Sequence, residues 1–87
     1  MKAFPLKISS PDGDVFCGDV VKLSVRGTEG ELAVMAGHIP FVTYIVGGDC
    51  KIELEDGEER IGETNGGILT VSADKTLLLS GSFEFKN

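Results

Sequence analysis

Hydrophobic and polar positions alternate along most of this chain with a period of two, and almost nowhere with the 3.6-residue period of an amphipathic helix. In "KAFPLKIS" the apolar Phe4, Leu6 and Ile8 alternate with Ala3, Pro5 and Lys7, which predicts a half-buried strand. Pro5 has no N–H to give to a ladder and argues for an edge position. "SPDGD" has the residues of a turn, Pro for the first corner and Asp-Gly for a positive φ. Over residues 19–26 Val21, Leu23 and Val25 point one way and Lys22, Ser24 and Arg26 the other, the clearest strand in the chain. Gly27 to Gly30 reads as a turn, Glu31 to Met35 as a short strand, residues 36–40 as a loop closed by Pro40, and Phe41 to Val46 as a strand.

Gly47-Gly48 reads as another turn, after which "DCKIELEDGEERIGE" reads as a hairpin. Cys50, Ile52 and Leu54 alternate with Lys51, Glu53 and Glu55, and Asp56-Gly57 signals a type I′ turn. Strands follow at 67–71, at "TLLLS", whose continuous apolar character suits a strand covered on both faces, and at Ser82 to Phe85, with a turn at Ala73 to Lys75. Twelve glycines and three prolines leave almost no window for a helix of ordinary length. The expected fold is all-β, a two-sheet β-sandwich of about ten short strands without substantial helix. No linker, repeat or low-complexity segment interrupts it, so residues 1–87 read as one domain.

Composition narrows the function. The formal net charge is −6, with eight basic residues against fourteen acidic ones, which argues against a phosphate-backbone partner and excludes nucleic acid from the expected ligands. Cys17 and Cys50 lie far apart, with no Cys or His nearby at metal-ligand spacing, so two buried reduced thiols are expected, without a metal site or a disulfide. No apolar run is long enough to cross a membrane, and the first residues lack the apolar core of a signal peptide. A soluble cytoplasmic protein is expected, with no direct membrane insertion.

Candidate chemistry is sparse. There is a single histidine, no "GxSxG" elbow and no "HExxH" pair, so no catalytic residues are assigned. The carboxylates of "ELEDGEE" fall on an exposed hairpin tip, where nothing desolvates them. "TNGGILTV" runs from glycine straight into a strand with no Lys, so the glycine pairs are turn residues and no cofactor site is expected. His38, in "AGHIP", has two readings by residue type alone, a structural or exposed side chain and a recognition residue on an ordered loop. A more remote reading joins His38 to Glu31 as an acid–base pair.

The stretches "FCGDV" at 16–20, "GTEGELAVMAGHIPFVT" at 27–43 and "GGILTV" at 66–71 resemble, in order and spacing, the N-terminal β-sandwich domain of the epsilon subunit of F-type ATP synthases, called delta in mitochondria. Ala33 stands where that family usually has Gly, and Ala36 where it usually has Pro. The family's C-terminal helical hairpin, which carries ATP sensing and inhibition, has no counterpart before Asn87, so no nucleotide site or inhibitory arm is expected. The resemblance implies a non-catalytic central-stalk subunit that couples the gamma shaft to the c-ring, for proton- or sodium-driven ATP synthesis, in a complex peripheral to the inner (plasma) membrane on its cytoplasmic side. It implies Glu31 and His38 as loop contacts, with Ser10 and Thr43 close to the gamma-facing surface. Such a surface, left without its partner, is able to self-associate. A second reading is a free-standing β-sandwich that binds a small ligand or another protein and keeps only the family's fold.

Overall fold

The computed structural model describes residues 2–37 and 39–86. Its elements are eight strands: β1 (Phe4–Ser10), β2 (Gly13–Val20), β3 (Lys22–Gly27), β4 (Gly30–Val34), β5 (Phe41–Glu53), β6 (Glu59–Val71), β7 (Thr76–Ser80) and β8 (Phe83–Phe85). They hydrogen-bond in the order β2-β1-β7-β6-β5-β3-β4, with β8 also on β6. All neighbours are antiparallel except β1 and β7, which run parallel from Leu6 opposite Thr76 to Ser9 opposite Leu79.

β5 and β6 make this continuous ladder into a two-layer sandwich. Each has 13 residues, and they pair along nearly their whole length, from Phe41 opposite Val71 to Glu53 opposite Glu59. The half containing Phe41–Val46 and Gly66–Val71 belongs to a first layer with β7, β1 and β2. The half containing Gly48–Glu53 and Glu59–Thr64 belongs to a second layer with β3, β4 and β8. Between the halves the pair bends at glycines: Gly48 and Gly66 have φ of +151° and +110°, which side chains rarely adopt. Leu6, Ile8, Leu69, Val71 and Leu78 from the first layer meet Leu23, Val25, Val34, Cys50 and Ile52 from the second in one buried cluster.

The strand count is eight rather than ten because Gly47-Gly48 bends a strand instead of ending it, and Asn65–Gly67 does the same in β6. The run at 19–26 is divided the other way. Val20 ends β2 and the chain then passes to the other layer, so Val20 and Val21 are buried in succession, and the Val21 N–H donates to the Glu53 carbonyl at 2.8 Å. β1 is interior, flanked by β2 and β7; Pro5 is tolerated because pairing with β7 begins only at Leu6. At the hairpin tip the Gly57 N–H donates to the Leu54 carbonyl and the Leu54 N–H to the Glu58 carbonyl. Gly57 alone has positive φ there, which makes a type I turn with a glycine bulge in place of the expected type I′.

Phe16 from β2 and Phe83 and Phe85 from β8 fill the side where the two layers approach without sharing a strand. The Phe16 and Phe85 rings lie edge to face at 6.3 Å, and the Arg60 guanidinium sits 4.0 Å from the Phe85 centroid and 5.9 Å from that of Phe16.

Candidate functional site

The outer faces of the two layers differ in chemistry. On the first layer, strand alternation turns Thr43, Leu69, Leu78 and Ile8 toward the core, so Val42, Tyr44 and Val46 of β5, Ile68 and Thr70 of β6, and Leu77 and Leu79 of β7 stand on the outside. Register places Tyr44, Ile68 and Leu79 in one row across three strands and Val42, Thr70 and Leu77 in the next. Tyr44 is 68% exposed, Val42 67% and Leu79 48%. None of these seven positions carries a charge, in a chain whose net charge is −6. Charge returns only on β1 and β2, where Lys7 approaches Asp14 at 3.6 Å and the Ser9 hydroxyl donates to it at 2.8 Å.

The second layer presents the opposite character. Asp49, Glu63 and Glu84 lie in one row across β5, β6 and β8, and Lys22, Glu53 and Glu59 in another across β3, β5 and β6. Lys86 donates to Asp49 at 2.7 Å, and Lys51 lies 3.6 Å from Glu59. The Asp49 carboxylate, first through this hydrogen bond and then through its charge, raises the Lys86 pKa above its usual range. Two of its lysines are paired in this way, on a solvated, net acidic surface whose exposed ion pairs stabilise little.

The bend between the faces is fixed by a small buried polar group. The Thr64 and Ser80 hydroxyls share a hydrogen bond at 2.6 Å; Ser80 also donates to the Ser82 carbonyl at 2.7 Å, and the Gly66 N–H donates to Thr64 Oγ1 at 3.0 Å. No Cβ fits at Gly67, where it would collide with the Leu79 carbonyl oxygen.

The sequence candidates are spread over the molecule. Glu31 is exposed at the start of β4, opposite Arg26, and borders the charged face beside Ser24, Asp49, Lys51 and Ile61. Thr43 is half-buried and points away from Val42 and Tyr44, into an open groove of about 340 Å³ between β4 and β5 lined also by Leu32, Ala33, Ile39 and Phe41. Ser10 closes the β1–β2 turn, its hydroxyl donating to the Gly13 carbonyl at 3.4 Å. Ser10 and Thr43 belong to the first layer but stand three strands apart, roughly 15 Å by strand spacing. His38 lies outside the described residues. Among the described residues no His, Cys, Asp and Glu side chains gather as metal ligands. Cys17 is exposed, contrary to expectation, because it shares the outward row of Lys7; Cys50 is buried.

Sequence reasoning missed the apolar face itself. Its signal is present in "FVTYIV" and "TLLLS", where the outward set, Val42, Tyr44 and Val46 or Leu77 and Leu79, is uncharged and large although the inward set already carries the core residues Ile45 and Leu78. The apolar run of the second predicts a strand covered on both sides, yet Leu79 is about half exposed.

Comparison with known proteins adds the following. The family model described as the ATP synthase delta/epsilon chain β-sandwich domain matches residues 3–86. The chain is 36% identical over 84 residues to the protein of Acetobacterium woodii named "ATP synthase epsilon chain, sodium ion specific", covering 97% of this chain and 63% of that one. A cryo-EM structure of the Euglena gracilis mitochondrial ATP synthase contains a chain that superposes with a TM-score of 0.90 at 22% identity, over 95% of this chain and 53% of the other. The central stalk and c-ring structure of the Tetrahymena thermophila mitochondrial ATP synthase gives a TM-score of 0.77 at 14% identity, over 95% and 66%. This chain therefore spans less than two thirds of each of these relatives, and the two structural likenesses speak for the fold.

Proposed function

The chain belongs to the ATP synthase delta/epsilon family of β-sandwich domains, and from that premise we propose that it is a non-catalytic coupling subunit in the central stalk of a rotary ATP synthase, on the cytoplasmic side of the membrane. The observation that carries this reading is the asymmetry of the sandwich, one outer face uncharged and apolar and the other charged and internally paired. A subunit held for many turns of a rotor needs a well-packed apolar contact on the shaft, and the face built from Val42, Tyr44, Ile68, Leu77 and Leu79 supplies one. The groove beside Thr43 continues that contact around the edge of the first layer, and Ser10 marks its far side. A contact with the c-ring is small and polar by contrast; Glu31 at the start of β4 offers it a carboxylate, and His38 joins it on the strength of the sequence alone. The two layers share one buried cluster and so turn as one block, with the glycine bend setting the angle between them.

The test is co-purification of this chain with the gamma subunit of the same organism. A one-to-one complex supports the reading. A folded gamma subunit that fails to bind the folded chain overturns it and leaves the free-standing binding module.

A further inference from the structure

Asn65 is the only asparagine in this sequence that is followed by another residue, the chain has no glutamine, and the residue that follows Asn65 is Gly66. Asparagine before glycine is the pair in which the backbone nitrogen most readily attacks the side-chain amide, because no Cβ stands in the way. The structure puts this pair where it is exposed and yet closed. Asn65 is exposed and its amide group lies against Gly81. Asn65 and Gly66 are both in β6, at the bend where Gly66 has a φ of +110°, and the ladder on either side holds their backbone in place. The Gly66 N–H is engaged, donating to Thr64 Oγ1 at 3.0 Å, and the Asn65 N–H donates to the Ser82 carbonyl at 3.2 Å. Thr64 is itself buried and held by Ser80.

We propose that Asn65–Gly66 is a latent deamidation site that the Thr64 hydroxyl keeps shut and that local opening of the β6 bend releases. In the open state the Gly66 nitrogen, losing its proton to solvent base, bonds to Asn65 Cγ. The bond from Cγ to the amide nitrogen breaks, ammonia leaves, and a five-membered succinimide remains. Water then opens either carbonyl of the ring, giving aspartate or an isoaspartyl linkage at position 65. Both products add a negative charge beside Ser82. The isoaspartyl product also inserts a methylene into the main chain of the strand both layers share, and so shifts the register that sets their angle.

The experiment incubates the whole chain at mildly alkaline pH and follows ammonia release, mass gain and isoaspartate by peptide mapping. Every side-chain amide lost upstream of the last residue comes from position 65. The native chain reacts many times more slowly than the same chain unfolded in urea. Thr64→Val raises the native rate by roughly five- to tenfold, the factor by which losing one buried hydrogen bond raises a local opening equilibrium. Thr64→Ser restores the slow rate. In sub-denaturing urea the native deamidation rate rises less steeply than the labelling rate of the buried Cys50 thiol, which separates local from global opening. Equal rates in native and unfolded chains overturn the proposal, as does a folded Thr64→Val protein that reacts no faster than the parent. Should Thr64→Val not fold, Ser80→Ala removes the hydroxyl that anchors Thr64 and carries the same two outcomes.

Discussion

Replacing Gly67 by alanine tests the bend on which the two faces depend. A Cβ at this position would collide with the Leu79 carbonyl oxygen and stand 2.9 Å from the Leu79 carbonyl carbon and 2.9 Å from Ser80 Cα. All three atoms are backbone, so no side-chain rotation relieves the clash, and the first contact is more than an ångström inside van der Waals distance. β6 and β7 must separate around the Gly67–Ser80 pair, which weakens one or two ladder hydrogen bonds at about 1 kcal/mol each and adds about 1–3 kcal/mol of overpacking strain. The sum is about 2–5 kcal/mol, against a total stability of roughly 4–13 kcal/mol for a domain of this size. Gly18→Ala is the control, because a Cβ there meets only the Phe16 ring at 3.5 Å, an ordinary contact. Urea unfolding followed by circular dichroism should show Gly67→Ala much less stable than the parent and Gly18→Ala within about 0.5 kcal/mol of it. Equal midpoints for the two variants would refute the close approach of β6 and β7.

Burial raises the Cys50 pKa from 9.0 to about 12, so the folded chain keeps a proton that the unfolded chain gives up between those values. Stability attributable to this group is therefore intact below pH 9 and falls by about 1.4 kcal/mol per pH unit above it; the alkaline slope should be shallower by this amount in Cys50→Ala than in the parent when pH-dependent urea midpoints are compared. Under native conditions a thiol reagent should modify Cys17 and spare Cys50, and modification of both at similar rates would contradict the packing. Glu31→Gln should leave the urea midpoint within about 0.5 kcal/mol of the parent, since the residue is exposed, while lowering coupled proton or sodium pumping in reconstituted enzyme. Unchanged pumping would remove Glu31 from the ring contact.

Period-two alternation was enough to read the strand content and the sandwich, because a strand with one wet face records its orientation in every second residue. Val21, Leu23 and Val25 are buried as the pattern requires, and Lys22, Ser24 and Arg26 are more exposed. What alternation did not carry was the continuity of strands through glycine. Gly47-Gly48 and Gly66-Gly67 look like turns in one dimension, but here the same freedom of φ bends a strand from one layer into the other. The edges were equally obscure: the place of Pro5 inside the sheet depends on where β7 begins to pair, a long-range fact. For the site, the family resemblance pointed to Glu31, His38, Ser10 and Thr43; the fold places Ser10 in a turn, Thr43 in a groove and Glu31 at the rim of the charged face, while His38 lies outside the described residues. The apolar face was hidden because a strand apolar on both sides looks the same whether its second cover is the protein's own core or another molecule.

The central claim is that this uncharged face, and not the charged one, seats the gamma subunit. Titration calorimetry of the gamma subunit with three forms of the chain tests it most directly: the parent, Tyr44→Asp and Glu63→Lys. The account predicts that the parent binds, that Tyr44→Asp weakens binding at least about tenfold by placing a charge in the centre of an apolar contact, and that Glu63→Lys binds like the parent. Weakening by Glu63→Lys with no effect of Tyr44→Asp would contradict it and move the shaft to the other side of the sandwich.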